Sequence, residues 1–142
     1  MGKLENWQAP VFILADDDRG AVERITELLH PEWFYVTVTK PRLVARYARR
    51  LPVTAVFLAA PLEYPGGTVA LLQHLVSAVG KPVIILAEDW SSETATYWKQ
   101  LGAEDCLPHP TRFNERLEQL RRKMQALALQ SSSAAESAGA GR

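Results

Sequence analysis

The 142-residue chain has a single cysteine, Cys106, no apolar run of membrane-spanning length, and no surplus of charge of either sign. One thiol excludes an internal disulfide and accords with a reducing compartment, so a cytoplasmic location is expected. The opening segment MGKLENWQAP holds neither the apolar stretch of a secretory signal nor a myristoylation motif, since Asn6 stands where Ser or Thr is needed. Sixteen basic residues balance sixteen acidic ones, which removes any whole-molecule field favouring nucleic acid or membrane. Basic residues do group, at Arg42, Arg46, Arg49, Arg50 and at Arg116, Arg121, Arg122, Lys123. Such groups on amphipathic helices are usually the solvated face, and without interleaved aromatics direct nucleic-acid binding is not expected. No Gly-rich or Ser/Thr-rich loop follows the first apolar run to cradle the phosphate of a flavin or nucleotide. Internal repeats are absent as well.

What is present is a regular alternation. The runs Val11–Ala15, Phe34–Val38, Val53–Ala59, Val83–Ala87 and the weaker Asp105–Leu107 are short and rich in Val, Ile and Phe. That pattern predicts strands of a parallel sheet buried on both faces. Between them lie helical spacings: Val22, Ile25, Leu29; Val44, Tyr47, Ala48, Leu51; Leu72, Leu75, Val76, Val79; and Thr94, Tyr97, Trp98, Leu101. Pro41 suits a first helical turn, Gly80-Lys81-Pro82 ends a helix, and Ser91 or Ser92 can cap the next. Together they predict an α/β fold: a three-layer sandwich around a doubly wound, five-stranded parallel sheet.

In the last helix, Phe113, Leu117, Leu120, Met124 and Leu127 alternate steps of four and three. Either this face packs on the sheet, or its distal end past Met124 pairs with another chain. Beyond Gln130 the sequence SSSAAESAGAGR predicts a disordered tail or linker over 130–142, leaving one domain over 9–129.

The first strand ends in three consecutive carboxylates, Asp16, Asp17 and Asp18. Ligands of doubly wound sheets gather at this strand edge. One carboxylate is explained by capping the first helix, but three adjacent charges repel one another. A hard divalent cation such as Mg²⁺ is the other explanation.

Four motifs in order give a resemblance. Ala15-Asp16-Asp17-Asp18 resembles the acidic cluster of the receiver domains of bacterial two-component response regulators. Leu58 through Gly67 resembles the end of their third strand and the loop after it, Lys81 through Glu88 the fourth strand, and Gly102 through Pro110 the fifth. The resemblance implies a flavodoxin-like fold with strand order 2-1-3-4-5, no enzymatic activity of its own, and a place in phosphorelay signalling. It also places the family's phosphoacceptor aspartate at Ala59 (or, one residue on, at Ala60), its hydroxyl residue at Ala87, its lysine at His109 and its switch aromatic at Cys106. Only the acidic cluster survives, with Asp16 and Asp17 as weak Mg²⁺ ligands, and no cofactor is required.

The chain therefore resembles a degenerate receiver, working by phosphorylation-independent protein–protein contact. A protein partner is implied, and a homodimer through the fourth helix, fifth strand and fifth helix, over a face including Trp90, Tyr97, Trp98, Cys106, Leu120 and Met124. The spacing of Tyr97 and Trp98 equally suits a core position. The alternatives are phosphorylation on a non-standard acid such as Glu63, Glu88 or Asp89, or a small-ligand site at the strand edge. His109, in the lysine position, would neighbour the acidic cluster, which would favour its charged form and make the pocket responsive to pH. His30 and His74 read as surface residues.

Overall fold

The alternation of runs and helical spacings folds as strands and helices in strict succession. The computed structural model describes residues 10–28, 33–110 and 114–140, with side chains over 10–27, 33–110 and 116–130. Strands β1 (Val11–Ala15), β2 (Phe34–Val38), β3 (Ala55–Ala60), β4 (Val83–Ala87) and β5 (Asp105–Pro108) form one sheet. Its order is β2-β1-β3-β4-β5, and every neighbouring pair is parallel. Helices α1 (Arg19–Leu28), α2 (Val44–Arg50), α3 (Gly67–His74), α4 (Ser92–Gln100) and α5 (Asn114–Ala140) connect and follow them. A 3-10 turn, Pro41–Leu43, leads into α2, and a π turn, Leu75–Val79, prolongs α3.

All six residues of central β3 are buried, as a strand covered on both faces requires. On one face Ile13, Val56, Leu58 and Ile85 pack with Val44 and Ala48 of α2, Leu71 and Leu72 of α3, and Ala95 and Trp98 of α4. On the other, Phe12, Leu14, Phe57, Ile84 and Leu86 pack with Ile25 of α1 and Leu117, Leu120, Met124 and Leu127 of α5. Phe12 sits at the centre of the second layer, edge-on to Phe57 at 5.8 Å and to Trp33 at 5.4 Å.

Local signals act where the sequence puts them. The Ser91 hydroxyl accepts the Thr94 N–H at 3.1 Å and caps α4. Gly80 ends the π turn at φ 76°, a left-handed conformation that an L side chain rarely adopts. The third strand begins later than its apolar run, at Ala55. Val53 donates to the Leu51 carbonyl at 2.8 Å instead, closing a turn before the sheet is entered.

The α5 stripe is a core face. Leu120 and Met124 are fully buried and Leu127 is 5% exposed, all against the sheet, so the stripe as far as Leu127 is covered within the chain. Alternating steps of four and three mark a narrow apolar stripe without specifying whether a helix or a sheet covers it. Phe113 lies outside the described residues. The α5 backbone stays helical to Ala140, ten residues past the expected start of a disordered tail. The segment holds no proline and is rich in alanine, the best helix former. Among the described residues, no helix is long and apolar enough to cross a membrane.

Candidate site at the strand edge

In a parallel sheet all strands end on one edge, and here that edge collects the residues singled out by the sequence. Ala15 pairs with Leu58, so Asp16 and Ala59 follow one step beyond on neighbouring strands. Ala59 lies opposite Leu86, Ala60 opposite Ala87, and Ala87 opposite Pro108. His109 follows β5 and donates its backbone N–H to the Ala87 carbonyl at 2.9 Å. Ala59, Ala60 and Ala87 are all buried methyl groups.

The three aspartates have three different fates. Asp16 is buried, and its Oδ1 accepts the Asp18 N–H at 3.0 Å. Its Oδ2 lies 2.7 Å from His109 Nε2. That separation is a hydrogen bond between the carboxylate and the imidazole. Asp18 accepts the Ala21 N–H at 3.2 Å and caps α1. Asp17 is exposed. The acidic run is thus one buried hydrogen-bonded carboxylate, one helix cap and one exposed side chain.

His109 is 1% exposed and reaches Asp16 from the far side of the sheet. β5 lies three strands from β1, about 14 Å at the usual spacing. The chain after β5 must lean back over the ends of β4 and β3. Those ends are Ala87, Ala59 and Ala60, the smallest side chains that carry a Cβ, and they leave the imidazole room to cross. Pro108 and Pro110 restrict the backbone on both sides of it. Arg116 Nη1 donates to the His109 carbonyl at 3.2 Å and ties α5 to the same turn. The ring's other nitrogen, Nδ1, is buried without a partner among the described residues. Sequence reasoning brought His109 near the acidic run but missed Arg116, whose place on α5 carries no motif. His74, read as a surface residue, shares a 3.1 Å contact with Arg49, and His30 lies outside the described residues.

This arrangement leaves few oxygens for a cation. Both Asp16 oxygens and one of Asp18 are engaged within the protein. Among the described residues, no group of three or more His, Cys, Asp or Glu side chains gathers as a metal site. Glu63, Glu88 and Asp89 are exposed on the loops that follow β3 and β4.

The face formed by α4, β5 and α5 is smaller than the sequence implies. Trp90 and Tyr97 are exposed, Trp90 donating its indole N–H to the Cys106 carbonyl at 2.9 Å. Trp98, Cys106, Leu120 and Met124 are buried and cannot form a contact surface. Trp98 packs edge-on with Tyr97 at 5.4 Å but turns inward, as its helical spacing with Leu101 allows. What remains is a groove of about 470 Å³ bordered by Trp90, Lys99, Asp105, Leu107 and Lys123. Asp105 bridges its two sides, 3.6 Å from Lys99 and 3.1 Å from Lys123. Burial pushes the Asp105 carboxyl pKa up, but the Cys106 N–H and the two lysines outweigh it and hold it below the ordinary value.

Burial raises the Cys106 thiol pKa to about 11, with the neighbouring Asp105 charge adding to the effect. At pH 8 the thiolate fraction is therefore negligible. A thiol-alkylating reagent should leave native protein unmodified and label one site in denaturant. Fast labelling of the native chain would mean that β5 opens readily.

No family model and no curated protein matches the chain. Solved structures do. The receiver domain of the Francisella response regulator 1452 superposes with a TM-score of 0.73 at 19% identity, over 86% of this chain and 98% of that one. The signal receiver domain of an HD domain-containing protein from Pseudomonas fluorescens Pf-5 gives 0.68 at 18% identity, over 89% and 99%. The response regulator domain of Thermotoga maritima CheB gives 0.69 at 14%, over 85% and 97%. With the strand order and the five helices, these likenesses give the chain the fold of response regulator receiver domains.

Proposed function

We propose that this chain is a degenerate receiver, a signalling module of the two-component type that acts through protein–protein contact without being phosphorylated. The observation that carries this reading is the buried Asp16–His109 pair across the alanine-lined strand edge. A receiver needs an oxygen there to accept a phosphoryl group and a cation to neutralise it. At this edge Ala59, Ala60 and Ala87 offer methyl groups, and the carboxylate that would hold Mg²⁺ is already hydrogen-bonded to a buried imidazole. Positioning and electrostatics cannot substitute for a missing acceptor. Asp16 and Asp17 accordingly bind Mg²⁺ weakly or not at all, and the chain has no enzymatic activity of its own. The lone buried thiol and the balanced charge support a cytoplasmic setting, and residues 130–142 serve as a tail or linker.

The two-state equilibrium that phosphate would shift in a receiver is here set by sequence and by the partner. Incubation with a small-molecule phosphoryl donor and Mg²⁺, read by intact mass, tests this directly. The mass should not change. A stoichiometric gain of one phosphoryl group, mapped to Glu63, Glu88 or any other acid, would overturn the reading.

A further inference from the structure

The chain is electrically neutral as a whole, but its charge is not evenly spread. Residues 40–50 carry Lys40, Arg42, Arg46, Arg49 and Arg50 and no acid at all. All five are exposed. Arg49 lies 3.1 Å from His74 Nε2, and the other four make no ion pair among the described residues. Val44 and Ala48 face the core, and the arginines occupy the opposite side of α2.

Fold stability does not account for this stripe. Arg42, Arg46 and Arg50 follow one another at steps of four, about 6 Å apart on a helix, where like charges repel by about 0.2–0.5 kcal/mol per pair. Lys40 and Arg42 stand at the helix start, where the backbone dipole disfavours cations. Only Arg49 and Arg50, in the last turn, meet the dipole favourably. A row of cations that costs the isolated domain energy is explained by an anionic partner. Arginine forks also suit carboxylates better than lysine does.

The partner's extent is limited by the neighbouring edge. Helix α2 begins at the strand edge that exposes Asp17, Asp18, Glu63, Glu88, Asp89 and Glu93. The ten residues from Pro41 to Arg50 span only about 15 Å. A nucleic acid or an anionic membrane extends well beyond that length and would meet those six carboxylates. A short acidic segment does not.

We infer that the outer face of α2 is a docking surface for an acidic protein segment, with carboxylates presented at helical spacing. This inference rests on the reading of the chain as a protein-binding module, and it names the chemistry of one partner. The exposed Tyr47 ring flanks the stripe and supplies an apolar margin for the segment.

The probe is a labelled helical peptide with glutamates spaced four apart, titrated with the full chain at low and at physiological ionic strength. Binding should be saturable, and the combined Arg42→Gln, Arg46→Gln and Arg50→Gln variant should weaken it about tenfold. The variant should fold normally, with a melting temperature equal to or above that of the parent, because repulsion is relieved. A control variant, Arg121→Gln with Arg122→Gln on α5, should bind as the parent does. An equal loss in that control would reduce the effect to bulk charge and overturn the proposal. Tighter binding to a single-stranded oligonucleotide, to duplex DNA or to phosphatidylserine vesicles would also overturn it. Self-association abolished by the α2 variant would do so too, by assigning the surface to a second copy. A chain that accepts phosphate yet binds the peptide contradicts only the functional reading. A chain inert to phosphoryl donors that ignores the peptide contradicts only this inference.

Discussion

The His109→Leu variant is expected to lose about 3 kcal/mol of folding stability, although leucine nearly matches the space that imidazole fills. The cost arises at Asp16. Its carboxylate stays buried, keeps the Asp18 N–H at 3.0 Å, and loses the only side chain among the described residues that bonds to its other oxygen. Leaving a buried carboxylate oxygen without its hydrogen-bond partner costs about 1–3 kcal/mol, and the low exposure of Asp16, 11% for its side chain, sets the upper end here. In thermal unfolding this is a fall of roughly 10 °C for a domain of this size. Asp16→Ala should be comparably harmful, since it leaves both ring nitrogens of His109 buried without partners among the described residues and the Asp18 N–H without its acceptor. The double variant should lose no more than either single, about 3 kcal/mol rather than the sum of about 6, because the leucine makes no polar demand on position 16 and only the Asp18 N–H stays without its acceptor. The coupling read from that cycle, about 3 kcal/mol, measures the pair itself. Additive losses would mean that each residue acts alone, and the paired edge would then lose its place as the main support for a phosphate-independent module.

The same pair shows where sequence could be read and where it could not. Strand positions followed from Val, Ile and Phe runs because burial on both faces leaves no room for polar alternation, as β3 shows at all six residues. Caps followed from local chemistry: Ser91 was one of two candidates and is the one used. The fate of the aspartates was only half legible. That one of them caps a helix is a local matter, and Asp18 does so. That Asp16 meets His109, 93 residues away, depends on β5 ending three strands from β1 and on alanines clearing the way. Sequence spacing carries no such distance. Arg116 reads only as part of a basic helix face for the same reason, since its partner is a backbone carbonyl that any residue would offer. The contact face was misjudged at Cys106, Leu120 and Met124 because helical and strand periodicity identify an apolar side without saying what covers it.

Met124→Ala settles that last point by experiment, and its expected outcome is a loss of about 3 kcal/mol with no change in oligomeric state. Met124 is fully buried among Phe12, Phe57, Leu120 and Leu127, in the layer between the sheet and α5. Truncation removes three heavy atoms from a region where the rigid rings of Phe12, Phe57 and Trp33 lock one another edge to edge. Aromatic rings held in this way relax poorly into the space left behind, so the cavity term adds to the lost transfer energy. Leu129→Ala, five residues further along the same helix but 58% exposed, should change stability by no more than about 0.5 kcal/mol. Denaturant unfolding of both variants, with light scattering on the same samples, separates the two roles. A Met124→Ala protein that kept its stability but lost an association seen in the parent would place this residue in an interface, and would require α5 to leave the sheet.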